Sequence, residues 1–324
     1  MAIRIGILGA ARIAPPVVIL PSRDNPDFEV VAVAARDGDR ARAYAAEHKI
    51  PLVLKDYDAL VRHADVDLVY NALPPSGHAH WTIAALEAGK DVLCEKPFAM
   101  NATQVRRMND AAVRTGKRLV EAFHYRHHVV MQRAVAIARA GELGGLVRAE
   151  AFFEVPIPYR EGELRWTRGQ GGGALMDLGC YPVHALRSVL GSEPEVLSAS
   201  CVLEHEVDVS TRTSLEFAGV PATFSCSMKP DRFGATLRLA GDKGSLEILN
   251  FVAPQLGCRF TMTVGGTTRE EPTAGPATYV AQLAELGDVL LRGKAPLITN
   301  ADSLANMAAI DAIYAKAGVD RTFA

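Results

Sequence analysis

The sequence has no apolar run near the roughly 18 residues that a bilayer-spanning helix needs, so no membrane partner is expected. It has no excess of charge either. Lys and Arg number 35 against 37 Asp and Glu, a formal net charge of −2, which offers no electrostatic footprint for nucleic acid or an anionic membrane. Five cysteines, an odd number, are scattered from Cys94 to Cys258 without a CxxC pair, so neither a disulfide framework nor a zinc site is expected. Repeats and low-complexity segments are absent. The opening MAIRIGILGA carries neither a basic stretch leading into a long apolar one nor a small-residue cleavage site, so a cytoplasmic location is expected. What these absences leave is a globular chain whose expected partner is a small molecule.

At 324 residues the chain exceeds one typical domain, and its grammar changes part-way. Short β-branched runs at Ile3 to Leu8, Phe28 to Ala34, Leu68 to Ala72, Asp91 to Cys94 and Arg118 to Ala122 read as buried strands. Between them, Asp39 to Glu47, Tyr57 to Arg62, His78 to Glu87 and Ala102 to Arg114 read as helices, and this alternation predicts a doubly wound parallel sheet of the α/β class. Beyond about Tyr125 come a helix (Val129 to Arg139), a strand (Leu146 to Val155), a glycine-rich break and a helix (Ala174 to Leu190). A series of strands separated by Gly, Pro and Asp turns follows from Glu195 to Val264, and helices at Tyr279 to Leu291 and Ala301 to Lys316 close the chain. The expected organisation is a Rossmann domain over 1–123 and a catalytic α+β domain with an open, mostly antiparallel sheet over 124–324. The C-terminal helix is free to pack back on the first domain.

After the first strand, Gly9-Ala10-Ala11-Arg12-Ile13-Ala14 fits the dinucleotide fingerprint GxGxxG/A with Ala11 in place of the second glycine. A methyl group there still permits the backbone to approach a pyrophosphate if φ stays negative. At the end of the second strand, where an acidic residue would grip the ribose 2′-hydroxyl of NAD, the chain reads Ala34-Ala35-Arg36-Asp37. Losing the carboxylate at Ala35 and gaining the Arg36 guanidinium suits a 2′-phosphate, so NADP(H) is expected to be preferred, with NAD(H) possible. The bland alternative leaves Arg36 as a solvated charge and gives the ribose to Asp37.

The segments GILGAARIA, NALPPSGHAHW, GKDVLCEKPFAMN, EAFHYRHH and GGGALMDLGCYPVHALRSVLG occur in this order across nearly the whole chain. In this order they resemble the Gfo/Idh/MocA oxidoreductases. That resemblance implies hydride exchange between a nicotinamide and a carbonyl or alcohol, with catalysis by a lysine, an aspartate and a histidine or tyrosine, here Lys96, Asp177 and Tyr181. The tyrosine version resembles the dihydrodiol dehydrogenase and glucose-fructose oxidoreductase members. It also implies that Asn71, Leu73, Pro74 and His78 sit in the loop that touches the cofactor, with Glu95 beside Lys96. Read physically, Pro97 restricts Lys96 to an extended backbone, and Asp177 and Tyr181 stand four residues apart on one face of a helix. A phenol with an ordinary pKa near 10 shuttles protons poorly at neutral pH unless a cation stabilises its phenolate, a role open to Lys96.

Tyr125 and Arg126, after the last strand of the cofactor domain, together with Arg165 and Trp166, are the expected substrate contacts. His78 with His80, and His124 with His127 and His128, invite a metal reading, but companion carboxylates or thiolates are missing, so no metal is expected. The expected substrate is a sugar, a keto-sugar or a vicinal diol. A nucleotide-activated deoxysugar is the alternative, its diphosphate met by Arg160, Arg165 and Arg168, and a silent dinucleotide sensor is the rival from another class. An open sheet face implies a homodimer or homotetramer.

Overall fold

The structure, a computed structural model, describes residues 2–321. Its first unit runs through His124 and adds Tyr279–Leu304; its second comprises Tyr125–Thr278 and the residues from Ala305 on. In the first unit, β1 (Ile3–Leu8) leads through a π turn (Pro15–Ile19) into a short α1 (Leu20–Arg23). Then follow β2 (Phe28–Ala34), α2 (Gly38–His48), β3 (Leu52–Val53), α3 (Tyr57–Val61), β4 (Leu68–Asn71), α4 (Pro75–Glu87), β5 (Asp91–Cys94), α5 (Ala102–Thr115) and β6 (Leu119–Glu121). The six strands are parallel in the order β3-β2-β1-β4-β5-β6. The order reverses between β1 and β4, the switch point where doubly wound sheets bind ligands.

Helix starts follow from local chemistry. Asp37 accepts hydrogen bonds from the Asp39 and Arg40 amides to cap α2, and Asn101 accepts from the Gln104 amide to cap α5. The strand β3 and the turn of helix after β1 escape a periodicity reading because each is too short to show a period.

In the second unit, α6 (Val129–Arg139) and β7 (Leu146–Glu154) precede two 3₁₀ turns (Leu164–Trp166, Arg168–Gln170), a π turn (Leu175–Gly179) and α7 (Cys180–Leu190). The strands β8 (Glu195–Glu204), β9 (Val207–Phe217), β10 (Val220–Ser227), β11 (Gly234–Gly241), β12 (Gly244–Leu249), β13 (Arg259–Val264) and β14 (Thr267–Glu270) come next. The chain then forms α8 (Thr278–Arg292) and α9 (Asn300–Lys316). The eight strands lie in the order β14-β13-β12-β11-β7-β10-β9-β8, antiparallel except for the parallel pair of β7 and β10. Alternation sorts the two faces. Ala149, Ala151, Phe153, Phe224 and Leu237 are buried on the side where α7 packs, whereas Glu150, Thr223, Arg212 and Arg238 face outward. On that outer face Arg238 pairs with Glu247 and Arg148 with Glu150.

The sequence places 124–324 together, but Tyr279–Leu304 belongs to the first unit. The reason is packing: Leu283 and Leu286 on α8, each 1% exposed, join Ile5, Ile7, Leu68, Tyr70 and Leu93 in one core. The regular helix expected over Ala174 to Leu190 also needs correction, since it opens with a π turn. There Gly179, where a Cβ would fall 2.9 Å from Cys226 Sγ, lets the widened backbone press against β10.

Truncating Leu286 to Ala is expected to cost the first unit about 2–5 kcal/mol, read as a lower urea midpoint. The control Val113→Ala, at a site 82% exposed on α5, should leave the midpoint in place. Equal midpoints would remove α8 from that core.

Candidate active site

The turn after β1 is shaped by what surrounds it. Gly9 has φ +95°, and a Cβ there would lie 3.2 Å from Leu73 Cδ2, so both conformation and space call for glycine. Its amide donates to Ala34 O, while the Ala10 and Ala11 carbonyls accept from Arg40 Nη2 (2.8 Å) and Tyr44 Oη (3.0 Å). Ala11 is partly exposed, and Arg12 and Ile13 are exposed. A small-residue turn at the switch point, its carbonyls drawn back by α2, fits a dinucleotide phosphate bridge. Neither Arg40 nor Tyr44 is legible from the fingerprint, because their contacts span some thirty residues.

Arg36 is exposed at the end of β2, and its main-chain amide donates to Tyr57 Oη. Asp37, the alternative partner for a ribose, spends Oδ1 on the Asp39 and Arg40 amides.

Asn71 and His78, expected in the loop that touches the cofactor, are fully buried. Asn71 Nδ2 donates to His78 O and Thr82 Oγ1, and its Oδ1 accepts from the Leu73 amide. The His78 ring bridges Leu73 O (2.7 Å) and Pro97 O (3.0 Å). Burial lowers its pKa to about 4 against the opposing pull of these carbonyls, so the ring is neutral at pH 7. Both side chains therefore act as struts that present half-buried Leu73 and Pro74. Glu95, 8% exposed, also turns inward: Oε1 accepts from Tyr70 Oη (2.7 Å) and Oε2 from the Lys96 amide (3.2 Å). Lys96 itself is partly exposed, and its bond to Pro97 is cis.

In the second unit the triglycine break and the π turn bring Arg165 and Asp177 together. The Gly173 amide donates to Arg165 O, and Arg165 Nε meets Asp177 Oδ2 at 2.7 Å while Nη1 meets Glu163 Oε1 at 3.0 Å. The Asp177 carboxylate raises the pKa of the guanidinium beyond its already high ordinary value. One turn on, Tyr181 is 4% exposed and packs edge-on against Tyr125 and Phe153, with ring centres 5.5 and 5.4 Å away. The pairing of Asp177 with Arg165 is hidden from a spacing argument.

Tyr125, expected to meet substrate, is fully buried with its hydroxyl 2.7 Å from His184 Nδ1. Trp166, 6% exposed, donates Nε1–H to Ile157 O, and Tyr159 and His205 pack against its ring edge-to-face. Arg126, expected beside Tyr125, is 8% exposed. His184, missed in the sequence, follows Tyr181 by one helical turn, a spacing that could have flagged it. Of the expected basic patch, Arg165 is paired as above and Arg168 donates to Asp320 O, which leaves Arg160 as the exposed member. Among the described residues, no group of three or more His, Cys, Asp or Glu could hold a metal ion, and no helix is long and apolar enough to cross a membrane.

Residues 3–123 match the model of an oxidoreductase family with an NAD-binding Rossmann fold, and residues 131–247 match the GFO/IDH/MocA C-terminal domain. The chain is 33% identical to a D-xylose 1-dehydrogenase (NADP(+)) of Haloferax volcanii, over 96% of both chains. It is 34% identical to the trans-1,2-dihydrobenzene-1,2-diol dehydrogenase of Mus musculus, over 84% of this chain and 80% of the relative. A 3-ketoreductase from Actinomadura kijaniata, in complex with NADP and TDP-benzene, superposes with a TM-score of 0.88 at 28% identity, with 98% of each chain covered.

His78 makes the first unit acid-sensitive. Its folded pKa of about 4 lies below the ordinary 6.5, so its contribution is fully present above pH 6.5 and is lost as the pH falls toward 4. Between pH 7 and 4.5 this amounts to roughly 2–3 kcal/mol. The urea midpoint of His78→Gln should vary less with pH than that of the wild type over this range. Parallel profiles would refute the buried neutral ring.

Proposed function

The chain belongs to the Gfo/Idh/MocA oxidoreductase family, and from this premise we propose an NADP(H)-preferring dehydrogenase or reductase acting on a carbonyl or alcohol of a sugar, keto-sugar or vicinal diol. The observation that carries this reading is a phenol and a charge-paired carboxylate delivered by one π-to-α turn. When bound, the nicotinamide supplies or accepts hydride. Tyr181 gives its phenolic proton to the carbonyl oxygen in reduction and takes the alcohol proton in oxidation. Lys96 supplies the positive charge that makes a phenolate attainable near neutral pH. Asp177, held by Arg165, orients a substrate hydroxyl. Arg36 receives the 2′-phosphate, a role supported by the commitment of Asp37 to its helix cap.

A second reading, reduction of a nucleotide-activated deoxysugar, is favoured by the likeness to the 3-ketoreductase. Arg165, one of its three expected arginines, is paired with Asp177 and Glu163, which ranks it second. The outer sheet face, with its alternating Arg and Glu, is proposed to meet a second copy of the chain. Light scattering at micromolar concentration should show at least a dimer, and a monomer would contradict this.

The direct test is turnover of aldoses, keto-sugars and diols in both directions with NADPH and NADH, followed by nicotinamide absorbance. Wild type should favour NADPH in kcat/KM, and Arg36→Ala should erase that preference. Tyr181→Phe should lower kcat about 10²- to 10⁴-fold with cofactor affinity unchanged. A wild-type preference for NADH, or near-normal kcat in Tyr181→Phe, would overturn the respective assignment. Tight NADPH binding without turnover would point to a sensor, and tight binding of a nucleoside diphosphate to the activated-sugar reading.

A further inference from the structure

The helix that carries Asp177 and Tyr181 begins without a cap of its own. Ala174 precedes the π turn and makes no side-chain capping bond, and the three residues before it are glycines. The first amide is met instead from a distant strand. Asp208 on β9, 2% exposed, accepts from the Leu175 amide at 2.7 Å through Oδ2. The same oxygen accepts from Thr211 Oγ1 at 3.0 Å, and Oδ1 accepts from Tyr314 Oη on α9 at 2.7 Å. The Arg321 guanidinium lies 4.5 Å from the centre of the Tyr314 ring, and its Nη1 is 3.2 Å from Met176 Sδ in the π turn.

Glycine at 173 follows from this carboxylate. With φ +119°, a Cβ there would overlap Asp208 Oδ1 and fall 3.2 Å from Tyr314 Oη. The chain therefore gives up any side chain at the helix entrance to admit a cap from outside. An anion at a helix start is favoured by the unpaired amides and the helix dipole together. Here the partners on both oxygens are donors, so the cap has no competing acceptor among these contacts.

We propose that Asp208 is a positioning residue for catalysis, an imported cap that sets where the Asp177–Tyr181 segment begins and ties it to β9 and the C-terminal helix. This rests on the reading that Asp177 and Tyr181 serve the reaction. Asparagine can replace most of these bonds, because its carbonyl oxygen accepts from Leu175 and Thr211 and the Tyr314 hydroxyl turns to accept from its amide. Alanine leaves the Leu175 amide buried without its acceptor.

The test uses the full chain as wild type, Asp208→Asn, Asp208→Ala and Tyr314→Phe, with two readouts: amide hydrogen exchange over residues 173–181, and kcat per NADPH-binding site. Asp208→Ala should exchange about tenfold faster or more in that segment. Its kcat should fall about 100-fold with NADPH affinity unchanged, the scale expected when a reacting group is displaced. Asp208→Asn should restore both to within about threefold. Wild-type exchange in Asp208→Ala, wild-type kcat despite faster exchange, or an Asn variant as impaired as Ala would each overturn the proposal. Should Asp208→Ala not fold, Tyr314→Phe takes its place: reduced kcat at unchanged NADPH affinity supports the proposal, and wild-type kcat overturns it. If the wild type turns over none of the substrates, the reaction assignment fails by itself, and the cap is then judged on exchange alone.

Discussion

A helix that starts from three glycines has no side chain with which to satisfy its first amides, and the second unit is arranged around that deficit. The buried Asp208 carboxylate fills it, and its remaining hydrogen bonds bind β9 and α9 to the same point. The glycine loop, relieved of side chains, lies close against the Arg165 backbone, where a Cβ on Gly172 would be 2.7 Å from Arg165 O. That approach brings the Arg165 guanidinium onto Asp177. A desolvated carboxylate on β9 thereby supports a charged pair on the segment proposed to act on substrate.

The first unit uses buried polar groups in a similar way. Asn71 and His78 form no surface, yet they set the path of the Leu73–Pro74 loop, and Leu73 in turn leaves room at Gly9 for hydrogen only. Arg40 and Tyr44 draw back the carbonyls of the turn after β1. A ring with an ordinary pKa near 6.5 would be a costly choice for such a strut if it had to carry charge, but burial keeps it neutral. Motif residues in this unit thus divide into those that can meet a ligand, such as Arg36 and Lys96, and those that hold the backbone in place.

Much of the fold is legible because its signals are local. Apolar runs such as Ile3–Leu8 and Asp91–Cys94 mark strands. Tertiary relations lack such markers. The transfer of α8 to the first unit depends on Leu283 and Leu286 reaching a core far away in sequence, and the π turn depends on Gly179 pressing on Cys226. At the site, the family motifs name Lys96, Asp177 and Tyr181, but they do not reveal that Arg165 pairs with Asp177 or that Tyr125 is committed to His184. A carboxylate between Val207 and Val209 in a buried strand was the available hint of Asp208.

The proposed chemistry makes Lys96 and Tyr181 serve a single proton transfer. A double-mutant cycle on kcat with Lys96→Met and Tyr181→Phe tests it most directly, with NADPH binding measured for each variant to count competent sites. If the two groups act in one step, the double variant should be no more than about threefold slower than the slower single variant. Losses that multiply would show that Lys96 and Tyr181 act independently, and would contradict a phenol activated by that cation.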